Sequence, residues 1–491
     1  MMVNAALLLL AATASASPTT LWVRQNTPNW EEVKCTDTNI TDAKVASNIR
    51  WQAADANTSW DAAVAAWHNY TPGDGQVQLK FPAFISDFYG GPEGWDCQDP
   101  VNTPCSTTVQ CADTKTPAGF LVLNSFAKLH DIYQKYHEAL QDAQLSISAV
   151  MGDFTGAFAP KLKAKDESTI VKIFLDVLAF GIGISSAGLW NIVIHDAAIF
   201  ATSAYRSFAK DTFNSAISSS FALAKDTTKA AKDSESVQND LTSAMGTLFD
   251  VWKKTQDAYL SEVFSGSNST TNSMLEGLIR DGMMNMVPDD INLSEMKNTV
   301  QTILFGQMIP IAWSVAPAGF TPFVLKTGDA CSDTMPKTLD PYMDEDTHKK
   351  AGVCWNGNQF YVLTIGKYPE VDVQADTPGL PDSDPPFQLL AGGTHDILDG
   401  KSWGGITLDD IVISSYSGYL ANGNRNGYNM SLDTSSGPVD ELMLSGGVRT
   451  PGFFSLPVCT SIWNTLMNVA GSIEGKNYYP CGVVVEKTYP Q

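Results

Sequence analysis

The chain has 491 residues and a formal net charge of −22, from 53 acidic against 31 basic side chains. Long-range attraction to nucleic acid or anionic lipid is excluded on that balance, and with it membrane lysis by a cationic surface. The length allows two or three domains of roughly 100 to 200 residues, enough to bury a large core.

The first residues read MMVNAALLLLAATASASP: an apolar run leads into Ala14-Ser15-Ala16, a small-x-small cleavage pattern. We read residues 1–16 as a signal peptide. Six N-x-S/T sequons, at Asn39, Asn57, Asn69, Asn268, Asn292 and Asn429, fit the same secretory route and mark candidate glycosylation sites.

Eight cysteines fall in two groups, Cys35, Cys97, Cys105 and Cys111 early and Cys331, Cys354, Cys459 and Cys481 late, with 219 residues between them. In an oxidising compartment this predicts two disulfide sets, each open to three pairings. No C-x2-C or H-x3-H pair occurs, so zinc is not expected. Residues 17–117 therefore read as a stapled N-terminal region. Short helices are expected over 41–54 and 59–70, with Trp60, Val64 and Trp67 on one face.

From 118 to about 300 the pattern becomes helical. Val122, Phe126, Leu129, Tyr133, Tyr136, Leu140, Ala143, Ile147 and Val150 follow alternating four- and three-residue spacing, the seam of a long helix that needs a partner. Leu241, Met245, Leu248, Trp252, Tyr259 and Val263 form a comparable stripe. Between them lies IFLDVLAFGIGISSAGLWNIVI, residues 173–194, whose one charge is Asp176. Gly181, Gly183 and Gly188 each cost a helix roughly 1 kcal/mol against alanine, so the middle is read as a bend between two arms. Phe174, Leu175, Leu178, Phe180, Leu189, Trp190 and Ile194 are the apolar side chains of that candidate membrane hairpin. As one helix the charge-free part would reach roughly 27 Å, just short of a hydrocarbon core of about 30 Å. A permanent span is thus disfavoured against a core helix or a concealed hairpin. Long helix, apolar hairpin and second long helix together resemble the architecture of α-helical pore-forming toxins, and that resemblance implies conditional membrane contact.

Residues 301–491 read as a β-rich, stapled C-terminal domain. The uncharged run 298–325 contains Pro310, Pro317 and Pro322, which argues for strands and turns. Asn356-Gly357 between two apolar runs signals a hairpin. A strand is expected over 406–415 and a short helix over 461–470.

Chemistry is sparsely signposted. His130 and His137, seven residues apart on the long helix, read as a solvated flank, because metal ligands favour i, i+4. No G-x-S-x-G, P-loop or G-x-G-x-x-G is present. Two carboxylates suffice for glycoside hydrolysis, and the local candidates are His395-Asp396 with Asp399, and Asp409-Asp410. Asp340 and Asp344-Glu345-Asp346 lack the D-x-D-x-D-G calcium pattern and read as solvated surface.

The expected fold is α+β: a stapled N-terminal region, a central long-helix bundle with an apolar helical hairpin, and a β-rich disulfide-stapled C-terminal domain. The leading functional expectation is a secreted glycoprotein with a non-catalytic role, binding a cell-surface or host component and perturbing membranes in a toxin-like manner, without metal, cofactor or nucleic acid. A secreted polysaccharide hydrolase using a carboxylate pair is the alternative, and a structural extracellular protein the third.

Overall fold

The computed structural model describes residues 29–158, 249–286, 293–315, 321–366, 385–430, 447–470 and 479–481, apart from a few positions inside these spans. The apolar segment 173–194, with every hairpin residue named above, lies outside the described residues, as do the first 28 residues and the sequons Asn268, Asn292 and Asn429.

The chain folds as mixed helix and sheet. Among the described residues the principal helices are α1 (Thr38–Thr41), α2 (Ser47–Ala53), α3 (Ala56–His68), α4 (Phe81–Tyr89), α5 (Pro117–Phe158), α6 (Leu293–Val315), α7 (Glu345–Ala351), α8 (Leu408–Ala421) and α9 (Ile462–Ala470). The strands are β1 (Phe323–Ala330), β2 (Gly352–Trp355), β3 (Asn358–Ile365), β4 (Phe387–Leu389) and β5 (Val458–Cys459).

Helix α5 runs for 42 residues, roughly 63 Å at 1.5 Å per residue. The seam read from the sequence is buried from Val122 to Ile147 and continues in the same spacing through Met151, Phe154 and Phe158. Val150, assigned to the seam above, is only half-buried, and Met151 takes its place. Near its start α5 lies against α4 so closely that a Cβ at Gly119 would come within 2.7 Å of the Tyr89 side chain. Farther along, Phe126 meets Trp60 of α3 at 5.9 Å and Phe264 at 5.1 Å between ring centroids. The far end packs on α6, where Phe154 meets Phe305 at 5.8 Å and Phe158 meets Trp313 at 6.1 Å.

Two sequence expectations are overturned. Residues 298–315 belong to helix α6 with Pro310 inside it, where strands and turns were expected. The proline's missing bond and ring clash cost about 3 kcal/mol, which the burial of Leu304, Phe305, Met308, Ile309 and Trp313 offsets. Residues 408–421 form helix α8 where a strand was expected over 406–415. The signal for it was present: Thr407-x-x-Asp410 is a reciprocal capping box, in which Thr407 accepts from the Asp410 N–H and Asp410 from the Thr407 N–H.

The sheet has the order β2-β3-β1-β5, and β4 joins the β2 side of β3 farther along it. β1 and β3 are antiparallel, pairing Phe323 with Leu363, while β5 runs parallel to β1. Asn356 and Gly357 close the β2–β3 hairpin with φ of 48° and 74°, the left-handed pair that a tight hairpin turn requires. One sheet face carries Val324, Val353, Phe360 and Val362 into the core shared with α5, α6 and α8. The other carries Phe323, Leu325, Tyr361 and Leu363 into a smaller core with Leu466 and Val469 of α9.

Four disulfides form, Cys35–Cys111, Cys97–Cys105, Cys331–Cys354 and Cys459–Cys481. Each pairs within its own sequence group, as expected. Cys35–Cys111 closes the longest loop, 76 residues, for which chain-entropy reasoning gives about 4 kcal/mol. Replacing Cys35 and Cys111 together by Ser is therefore expected to lower the unfolding free energy by about 2 to 5 kcal/mol in denaturant titration. The same change at Cys97 and Cys105, separated by 8 residues, costs less.

Candidate functional site

The carboxylate-bearing segment 391–410 lies where the long-helix core meets the sheet. Its start is fixed by Trp313, whose indole N–H donates to the Ala391 carbonyl at 2.7 Å. His395 then ties it to the end of α7 and the sheet's edge: its backbone N–H donates to Lys350 O of α7 at 3.0 Å and its ring Nε2–H to Gly352 O of β2 at 2.7 Å. That second bond commits Nε2 to the protonated tautomer, so it is not available as a base.

Trp403 anchors the other side of the loop. Its ring meets Phe154, Phe158 and Phe305 at 5.7, 5.5 and 5.8 Å, all edge-on, at the end of the α5 seam. Gly404, with φ of 72°, passes α6 so tightly that a Cβ would come within 2.6 Å of Thr302 Cα. Its carbonyl accepts from the Thr302 hydroxyl at 2.5 Å. No sequence motif pointed to Trp403; its role comes from Phe305 about 100 positions earlier and from Phe154 and Phe158 more than 200 earlier.

The four candidate aspartates divide into two kinds. Asp399 accepts from Ser402 N and Lys401 N at 2.8 and 2.9 Å. Those backbone N–H bonds, Ser402's first, hold its carboxyl below the ordinary value of 3.8. That direction is opposite to the one a glycosidic general acid needs. Asp410 is buried, accepting from Thr407 N at 2.8 Å with Oδ2 and from Arg449 Nε at 2.5 Å with Oδ1. Both aspartates build structure.

Asp396 and Asp409 are different. Asp396 is exposed at the loop's tip, close enough to Lys350 that its charge adds to the stronger pull of Asp346 in raising that ammonium's pKa. Asp409 is half-buried in the first turn of α8, at the positive end of the helix. Neither makes a hydrogen bond or ion pair to another described residue, which leaves their oxygens available to a ligand or a proton.

Asp409 also begins a stripe. Ile413 and Tyr416 follow at i+4 and i+7 on the same face of α8 and are half-buried, and Leu420 at i+11 is exposed. Tyr416 stacks on Tyr419 at 6.0 Å with an interplanar angle of 16°, and Trp355 of β2 meets it edge-on at 5.9 Å. Helix α8 thus carries a carboxylate at one end and two tyrosine rings at the other, with Trp355 of β2 beside them. Sequence reading missed the tyrosine rings because it expected a strand over 406–415 in place of the helix that aligns them with Asp409.

Elsewhere, the solvated-flank reading of the α5 histidines is overturned. His130 is 1% exposed, with Nε2 bonded to Asp99 O at 2.9 Å, and burial pushes its pKa down against that bond and the nearby carboxylates. His137 Nδ1 lies 3.6 Å from Asp257 Oδ1. The acidic cluster has a local structural task, since Asp344 caps α7 by accepting from Thr347 N at 2.6 Å. Among the described residues no group of three or more His, Cys, Asp or Glu could hold a metal ion. Nor, among them, is any helix long and apolar enough to cross a membrane. Of the sequons, Asn39 and Asn69 are exposed, and Asn57 is half-buried with Oδ1 accepting from Trp51 Nε1 at 2.7 Å.

No protein family profile matches the chain, and no solved structure does. Two proteins of Penicillium expansum do. One, named a probable chitinase, LysM18, is 27% identical over 498 aligned positions, covering 93% of this chain and 33% of its own length. The other, named a secreted chitinase, LysM12, is 27% identical over 500, covering 92% of this chain and 32% of its own. The chain spans about a third of the length of these curated relatives. They overturn the leading expectation from sequence: these two proteins, similar along nearly the whole chain, are named chitinases, and nothing supports the toxin-like or effector reading. A helix seam and an apolar segment are generic to large helical cores, which is why that pattern misled.

Two measurements test these assignments. Asp410→Ala is expected to cost about 1 to 3 kcal/mol, through the lost bond to the Thr407 N–H in the capping box and the lost pairing with Arg449, and Asp409→Ala less than about 0.5 kcal/mol. Because the folded pKa of His130 lies below its unfolded value near 6.5, its contribution is intact above that value and lost as pH falls through the folded pKa. His130→Gln should therefore flatten the decline in stability on the acid side of pH 6.5, followed by thermal melting across pH.

Proposed function

We propose that this chain belongs to a secreted protein that hydrolyses a neutral amino-sugar polysaccharide of the chitin class. The observation that carries this reading is the similarity along 93% and 92% of the chain to two proteins named chitinases, one of them named as secreted. Four disulfides and exposed sequons at Asn39 and Asn69 fit the secretory route.

Asp396 and Asp409 are the carboxylates we assign to the chemistry. Glycoside hydrolysis asks one carboxyl group to protonate the leaving oxygen and a second to act as nucleophile or to activate water. Asp399 and Asp410 are spent on backbone N–H groups and on Arg449, whereas Asp396, exposed, and Asp409, half-buried, have no such partner among the described residues. The net charge of −22 disfavours polyanionic polysaccharides and leaves neutral ones as substrates.

The purified full chain is expected to release soluble N-acetylglucosamine oligomers from chitin. Asp396→Asn and Asp409→Asn should each lower that rate by about 10²-fold or more, with little change in melting temperature. Absence of release by the wild-type chain, or full activity in both variants, overturns the reading.

A further inference from the structure

We infer that Tyr416, Tyr419 and Trp355 form a docking platform for the polysaccharide chain, set so that a bound chain runs along α8 toward Asp409. This rests on the proposed polysaccharide activity for the identity of the occupant, and on independent geometry for its place.

Pyranose rings with equatorial substituents present C–H groups on their faces, and these pack on the negative faces of aromatic rings. Such a platform needs rings that are held rigidly yet not buried. Tyr416 and Tyr419 lie nearly parallel, 16° apart, one helical turn from each other on α8, and both keep partial exposure. Tyr416 is fixed from below by Phe360 at 5.0 Å and at its hydroxyl by Lys326, whose Nζ donates at 2.7 Å. Lys326 also lies 4.9 Å from the ring centroid, but so short a bond to the hydroxyl makes it chiefly a hydrogen-bonding clamp. Trp355 stands at 82° to Tyr416 and forms a side wall.

The surroundings fit an amide-bearing neutral sugar. Asn356 at the hairpin tip and Asn424 in the turn after α8 are both exposed, and each side-chain amide can donate to and accept from an acetamido group. Seven residues of helix separate Tyr416 from Asp409 on the same face, about 10 Å along the axis. An extended oligosaccharide seated on the rings therefore reaches the carboxylate without bending.

Isothermal titration of the full chain with the hexamer of N-acetylglucosamine should show saturable binding, at least tenfold weakened in Tyr419→Ala and restored to within threefold in Tyr419→Trp. Cellohexaose, lacking the acetamido groups, should bind more weakly. Where Tyr419→Ala lowers the melting temperature, Tyr419→Leu replaces it, keeping bulk without a ring, and the same tenfold loss is expected. No saturable binding by the wild type, unchanged affinity in the ring-lacking variant, or equal affinity for cellohexaose overturns the platform. Sugar release from chitin, followed on the same samples, separates the two readings. Binding without any release removes the hydrolytic assignment alone, and release with affinity insensitive to Tyr419 removes the platform alone.

Discussion

An apolar seam that runs the length of a 42-residue helix has to be covered along all of it, and the rest of the described structure answers to that requirement. Left in water, the seam would expose a row of large side chains on a helix whose own hydrogen bonds stabilise it only marginally. The first part of α5 is covered by α3, α4 and Phe264, and the last part by α6 and Trp403. The loop that bears the candidate carboxylates is therefore placed by hydrophobic packing at one end, through Trp403, and by hydrogen bonds to the sheet edge at the other, through His395.

That placement sorts the acidic side chains. In a chain with 53 of them, grouping alone says little about chemistry. Asp399 shapes a turn, Asp344 caps α7, and Asp410 caps α8 while pairing with Arg449. Each has its oxygens directed at backbone N–H groups, a local structural task for short acidic residues. Asp396 and Asp409 become distinctive because they share the loop and helix end without sharing those partners.

Local signals were legible where they rested on short spacing. The 4-3 seam of α5, the Asn356-Gly357 turn and the division of the cysteines into two groups each depend on near neighbours in sequence, and each appears in the fold. Helix α6 was misread because proline was weighed without the burial of Phe305 and Trp313 that offsets it. Helix α8 was misread because Ile406, Ile411 and Val412 look like strand residues when the Thr407–Asp410 capping box is overlooked. Of the site, the aspartates were visible as types; which of them are already engaged depends on Arg449 and on backbone geometry. Trp403 and the Trp355–Tyr416 contact arise from pairings across distant sequence, which no periodicity encodes.

The aromatic cluster at the end of α5 also bears on biosynthesis. Phe158 and Trp403 are 245 positions apart, so at about 5 to 20 residues per second the ribosome delivers the covering ring roughly ten to fifty seconds after the surface it covers. During that interval Phe305 and Trp313 of α6 are already made, but the edge-on contacts of Trp403 to Phe154 and Phe158 are still missing. That end of the seam is therefore completed only after α6 and the loop bearing Trp403 have both been made.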